Sequence, residues 1–274
     1  MLDPWFKKNY PIKHLKKLIY WRLAESKVLR EAESILYTTE KEKKSARETF
    51  NGNYGKDRVV GYGTSEPPTD IEKQKKNFLE RYPMLKDKRI ILFLGRIHEK
   101  KGIKLLIEAY AKTIGREEKT MLVIVGPDQG GYKKKMQRKA KELNISKQVL
   151  WTGMLTGVMK WGAFRSAELF CLPSHQENFG VAVAEALACG LAVSIAEPVN
   201  ISSEVDAYNA GIVHKDNIEG TIYAFERWVK MTIEEKNKMR SNARILFEEK
   251  YNFASVANRI YKVLEESVKT TKED

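Results

Sequence analysis

Two stretches of this chain carry side chains that could do chemistry together. GRIHEKKG (95–102) sets Arg96 and Lys101 between an apolar run and a helical pattern. A planar Arg fork and a Lys point charge suit phosphate. A helix start adds free N–H groups and the positive end of a dipole. The pair reads as a diphosphate clamp, and a solvated basic loop fits the same spacing. His98 and Lys100, between them, read as solvent-facing. PSHQENFGVAVAEALACG (173–190) sets Glu177 in a loop and Glu185 inside the following helix, with seven residues between them. Such carboxylates can accept bonds from sugar and ribose hydroxyls. Phe179, Gly180 and Val181 open the helix, where Gly180 lets backbone approach a ligand and the first-turn amides are free donors. Glutamate on a helix usually faces water. Glu185, however, lies among Val183, Ala184, Ala186 and Leu187, so its carboxylate needs a partner or a ligand.

These residues must be positioned by the elements around them. RIILFLG (89–95), TMLVIVG (120–126), VLWTG (149–153), LFCLPS (169–174), LAVSIAE (191–197) and GIVHK (211–215) read as strands. KGIKLLIEAYAKTIG (101–115), YKKKMQRKAKELN (132–144), TGVMKWGAFRSA (156–167) and FGVAVAEALACG (179–190) read as helices between them. Continuous apolar strands alternating with helices predict an α/β, doubly wound, Rossmann-like parallel sheet. In such sheets ligands bind outside the carboxyl ends of the strands, which here carry Gly95-Arg96, Gly126-Pro127-Asp128, Gly153 and Pro173-Ser174. After residue 216 the chain turns helical, with an amphipathic 234–250 and a final helix over 254–268. Before residue 64 a basic amphipathic helix (11–32), strands 34–39 and 57–63 and a helix 40–50 precede a proline-containing linker, SEPPTD (65–70). The predicted organisation is a partial α/β segment over 1–64, a Rossmann-like α/β domain over 71–253 and a C-terminal helix over 254–274. Two strands and two helices are too few to close a core alone.

The formal net charge is +13, from 49 Lys and Arg against 36 Asp and Glu. Nucleic acid, an anionic membrane or a phosphorylated small molecule fits that sign. No RNP-like signature, zinc-finger spacing or basic zipper accompanies the lysines, so a nucleic-acid partner has charge but no reading element, and a solvated basic surface fits many of them equally well. GxGxxG, GxxxxGK[ST], HExxH, Ser-His-Asp order and Cys/His metal spacing are absent from the sequence, which disfavours dehydrogenases, P-loop hydrolases and a metal site. No run of about eighteen apolar residues exists to span a bilayer, and the first residues lack the apolar middle of a signal peptide. Cys171 and Cys189 sit in apolar runs and read as reduced core residues of a cytoplasmic protein.

GRIHEKKGIKLLIEAY, VIVGPD, VLWTGML, LFCLPSHQENFGVAVAEALACG and the late EKYNF together resemble the donor domain of glycosyltransferase family 4, over about residues 89–265. MLDPWFKKN, the basic helix and TTEKEKKSAR are similar to the last third of that family's N-terminal domain. The resemblance implies a retaining, metal-independent enzyme of the GT-B fold that needs no cofactor beyond its nucleotide-sugar donor. It implies that Arg96 and Lys101 bind and stabilise the donor diphosphate and that Glu177 holds the transferred sugar. By the same resemblance Glu185 holds the ribose, amides of Phe179, Gly180 and Val181 meet sugar and phosphate, and Leu155 touches the nucleobase. Gly126, at a strand end, joins the donor-binding set. The family's acceptor-binding sheet, with a glycine-rich loop and an active-site histidine, would precede MLDPW, and His14 is not a substitute by position. Ala192 stands where the family often has proline.

The expected function is transfer of a sugar to an acceptor hydroxyl in cell-surface polysaccharide or glycoconjugate synthesis, on a polysaccharide or lipid-linked acceptor. The alternatives are a nucleotide-sugar-binding module inactive without a partner chain or dimer, and a nucleotide-sugar epimerase. The basic helix 11–32 either makes peripheral contact with an anionic membrane or packs on the donor domain with its lysines in water.

Overall fold

The computed structural model describes residues 10–50 and 56–271; MLDPWFKKN (1–9) lies outside the described residues. The chain divides into two compact units, 1–63 with 253–274, and 64–252.

The first unit begins with α1 (Pro11–Tyr20), a π-helical stretch (Trp21–Glu25) and α2 (Ser26–Glu31). The helix expected over 11–32 is thus wound in two pieces about a wider turn. Ile12, Leu15, Ile19 and Leu23 are exposed beside Lys13, Lys16 and Lys17. β1 (Ser34–Tyr37) pairs in parallel with β2 (Lys56–Val59), and α3 (Glu40–Phe50) connects them. Arg47 Nε donates to Asp57 Oδ2 at 2.7 Å, tying that crossover helix to β2.

The second unit opens with α4 (Ile71–Arg81), whose N-cap Asp70 accepts from the Lys73 amide at 3.3 Å. Then come β3 (Arg89–Leu94), α5 (Ile103–Lys112), β4 (Thr120–Val125), α6 (Tyr132–Glu142), β5 (Val149–Gly153), α7 (Gly157–Ser166), β6 (Leu169–Leu172), α8 (Val181–Ala188), β7 (Val193–Ala196), α9 (Ser202–Ala207) and β8 (Gly211–His214). All the pairings are parallel, in the order β5-β4-β3-β6-β7-β8. Counted within the unit this is 3-2-1-4-5-6, the doubly wound order. The expected fold class is therefore the observed one. Every residue of β4, β6 and β7 is buried, which is why these strands read as unbroken apolar runs.

α10 (Ile218–Lys230) is capped by Asn217, and α11 (Ile233–Leu246) by a Thr232–Glu235 capping box. A π-helical stretch (Phe247–Tyr251) ends the unit. α12 (Phe253–Thr271), read from the sequence as a segment of its own, is counted in the first unit. Its Arg259 Nε donates to the Val60 carbonyl at 2.8 Å.

One charged cluster holds the amino-terminal ends of the middle strands. Arg89, opening β3, forks onto Glu168, just before β6, at 2.7 and 3.0 Å. Trp228 Nε1 on α10 donates to the same carboxylate at 2.8 Å, and Lys236 Nζ on α11 lies 3.6 Å away. Burial alone would push the Glu168 carboxyl up. The Arg89 fork and its charge, then Trp228 and Lys236, outweigh burial and hold it below its ordinary value.

Candidate functional site

β3 and β6 are neighbours whose following helices leave in opposite directions, so the strand order reverses between them. A doubly wound sheet opens its ligand crevice at that place. The loop after β3 carries Arg96 and Lys101, and the loop after β6 carries Glu177. Backbone contacts hold the two loops together. The Lys100 carbonyl accepts from the His175 amide at 2.9 Å and from Ser174 Oγ at 3.0 Å. Gly102 sits at φ +67°, and a Cβ there would lie 1.8 Å from the Pro173 carbonyl oxygen. Only glycine fits so close an approach.

That approach brings Lys101 Nζ and Glu177 Oε2 into an ion pair, with the two side chains 13% and 20% exposed. Burial, with repulsion from Arg96 and Lys100, pulls the Lys101 ammonium down to about 8. The Glu177 carboxylate acts against that shift. Arg96 is exposed, and its guanidinium donates to Gln129 Oε1 at 3.2 Å. Gln129 is itself set by a continuation of the β3–β4 ladder, in which the Ile97 amide reaches Pro127 O and the Gln129 amide reaches Ile97 O. His98 and Lys100 are half-buried rather than solvent-facing, because His98 Nδ1 accepts from the Lys100 amide at 3.1 Å and folds the turn inward.

The Glu177 loop is tied on its other side as well. Glu177 donates its amide to Pro198 O at 3.2 Å, and its carbonyl accepts from the Asn200 amide at 3.1 Å. Phe179 is buried with its ring edge-on to Tyr251, the centroids 5.2 Å apart. Gly180 is the left-handed N-cap of α8, and its carbonyl accepts from the Val183 and Ala184 amides. The Val181 amide precedes that ladder, so no carbonyl of its own helix serves it.

Glu185, on α8, is half-buried and paired. Lys160 Nζ, from α7, lies 2.6 Å from Glu185 Oε1 and 4.3 Å from the Trp161 ring centroid. Lys160 also lines a cavity of about 400 Å³ at the carboxyl ends of β3, β4 and β5, together with Arg96, Gly126 and Leu155. Gly126 shapes that wall through its backbone, because a Cβ there would meet the Gly95 carbonyl at 1.8 Å. The structure thus gathers Arg96, Gly126 and Leu155 around one cavity, pairs Lys101 with Glu177 across the strand reversal, and sets Phe179, Gly180 and Val181 at the start of α8.

Sequence reasoning missed Lys160, Gln129 and the His175–Asp216 pair, whose Nδ1 and Oδ2 are 3.1 Å apart. Only Lys160 left a signal: the unpartnered Glu185 demanded a cation, and Lys160 falls on the helix that immediately precedes β6. Among the described residues no cluster of three or more His, Cys, Asp or Glu is placed to hold a metal ion. No helix among them is long and apolar enough to cross a membrane.

Comparison with known proteins gives the family. The profile of the family described as glycosyl transferases group 1 matches residues 74–246. An uncharacterised glycosyltransferase of Methanocaldococcus jannaschii is 26% identical over 221 residues, which are 78% of this chain and 56% of that protein. A phosphatidyl-myo-inositol mannosyltransferase of Mycolicibacterium smegmatis is 31% identical over 140 residues, 50% of this chain and 33% of that protein. The chain spans about half the length of the curated relatives it matches, or less. Anabaena HepE, solved with UDP and glucose, superimposes with a TM-score of 0.78 at 16% identity, covering 90% of this chain and 67% of that one. The C-terminal domain of a group 1 glycosyl transferase (LpcC) of Francisella tularensis gives 0.60 at 20% identity, covering 70% of this chain and 100% of that one. These structures share the fold, the profile spans most of the second unit, and the chain belongs to the group 1 glycosyl transferases.

Proposed function

We propose that this chain binds a nucleotide-diphosphate sugar and serves transfer of that sugar, with retained anomeric configuration, to an acceptor hydroxyl of a polysaccharide or lipid-linked glycoconjugate. The observation that carries the reading is the Lys101–Glu177 pair across the strand reversal, with Arg96 close by and Glu185 held by Lys160, which lines the adjoining cavity. Arg96 and Lys101 meet the diphosphate. When the bond from the anomeric carbon to phosphate breaks, the phosphate takes the electron pair, and these two cations stabilise the charge that develops. Glu177 accepts from hydroxyls of the transferred sugar and Glu185 from those of the ribose. The two carboxylates therefore hold the two ends of one donor and are not an acid/base couple. HepE, whose fold is shared, was solved with UDP and glucose, which supports a nucleotide-sugar donor. The two free cysteines fit a reducing, cytoplasmic compartment.

A second reading is a donor-binding unit that turns over only with an acceptor half supplied by another chain. Calorimetric titration with UDP, GDP and ADP tests the shared core of both readings. At least one nucleotide binds, and Arg96→Ala weakens it; if none binds, donor binding is wrong. Incubation with donor sugar then separates enzyme from module by released nucleotide. Recovery of an isomerised donor sugar would instead indicate an epimerase.

A further inference from the structure

We propose that Lys160 reads the base of the bound nucleotide, and that the base it accepts carries a carbonyl, as uracil and guanine do, rather than the amino group of adenine. The inference rests on the donor-site reading above and deepens it. The cavity of about 400 Å³ is lined by Arg96, Gly126 and Leu155 at the carboxyl ends of β3, β4 and β5, and by Lys160. That volume lies within the range of small-molecule sites. A diphosphate at the Arg96 end leaves the Leu155–Lys160 end to the nucleoside. Lys160 stands where the ribose-holding carboxylate meets that end, since it lines the cavity and touches Glu185 at once.

Three features suit it to the task. Its ammonium is held in place by Glu185 at 2.6 Å and by the Trp161 ring at 4.3 Å, and its side chain is 23% exposed. A group already ordered loses little freedom when a ligand arrives. An ammonium has three donors and no acceptor, so Glu185 leaves hydrogens to give. None of the side chains lining the cavity is acidic, so the charged side chains there offer donors only. Guanine O6 and the matching uracil oxygen are acceptors, whereas adenine presents an N–H donor at the corresponding edge. Two donors facing each other leave both unpaired and desolvated, which a site built for a hydrogen bond rejects strongly. A lysine that merely neutralised Glu185 would show no preference among bases.

Calorimetry on the 274-residue chain with UDP, GDP and ADP decides between these. The expected result is that UDP or GDP binds about tenfold or more tightly than ADP, the scale of one charged hydrogen bond. Lys160→Met brings all three nucleotides within about threefold of one another, and Lys160→Arg, which keeps donors at the site, preserves the gap. Equal affinity of the unaltered chain for ADP and the best other nucleotide overturns the inference without any variant. So does an equal weakening of all three by Lys160→Met, which would assign Lys160 to ribose or phosphate. If the Met variant melts below assay temperature, the unaltered chain and Lys160→Arg still decide. Failure of every nucleotide to bind sinks the donor-site reading and this inference with it; binding without base preference sinks this inference alone.

Discussion

Lys101 is pulled by opposing influences. Burial and the positive charges of Arg96 and Lys100 favour its neutral form, and Glu177 favours its ammonium. With the ammonium titrating at about 8, Lys101 of the ligand-free clamp is mostly charged at neutral pH and becomes neutral above that value, while the Arg96 guanidinium keeps its charge. A diphosphate binds the protonated form, so above pH 8 each binding event must also take up a proton. Nucleotide affinity should therefore fall only about twofold from pH 7 to 8 and by up to about tenfold per unit above it. Lys101→Ala should weaken binding by roughly 1–3 kcal/mol and remove that fall. Calorimetry across the range checks both, and an unchanged slope in the variant would assign the titration to another group. The residues themselves show how far sequence reading reaches. Arg96, Lys101 and Glu177 were visible as charged residues at strand-to-helix junctions, and Glu185 as a carboxylate among the apolar residues of a helix. Lys160 was not, because its role depends on a carboxylate 25 positions away that comes near only in the folded chain.

At the scale of elements, the site depends on how closely two loops approach. Gly102 combines a left-handed φ with a carbonyl 1.8 Å from where a side chain would begin. Gly102→Ala must push the Pro173 loop away, and Glu177 with it. The expected cost is about 2 kcal/mol or more in stability, with a loss of nucleotide affinity larger than stability alone explains. Thermal melts and titration at a temperature where the variant is folded measure the two separately. The strands were readable from the sequence because both faces of each are covered, leaving runs such as TMLVIV without a polar break. α4 was not assigned, since IEKQKKNFLER buries fully only Gln74 and Phe78 and its pattern is mostly solvent-side charge. α9, six residues long, offers too little period to recognise. The π-helical turn at Trp21–Glu25 shifts the phase of a helix whose residues read as one continuous amphipathic run.

For the second unit as a whole, Glu168 acts as a keystone on the side away from the ligand. It collects Arg89, Trp228 and Lys236, so β3, α10 and α11 depend on one carboxylate. Glu168→Ala should cost about 2 kcal/mol, as for a partly exposed carboxylate serving several donors, and leave nucleotide affinity of the folded protein unchanged. The pH dependence has a definite sign. The folded carboxyl titrates below its ordinary value of 4.5, so its contribution is complete above that value and is lost as pH falls through the lower folded value. The unaltered chain should lose more stability on acidification than Glu168→Ala does, as denaturant midpoints at several pH values would show.

The pairing between β3 and β6 spans only two residue positions, Ile91 with Leu169 and Leu92 with Phe170, whereas β3 and β4 match over six. The two halves of the sheet are thus joined by a narrow hinge line, pinned beneath by Glu168 and crossed above by Lys101 and Glu177. A donor seated there would act as a splint across that line: the molecule it binds would complete the mechanical continuity of the sheet.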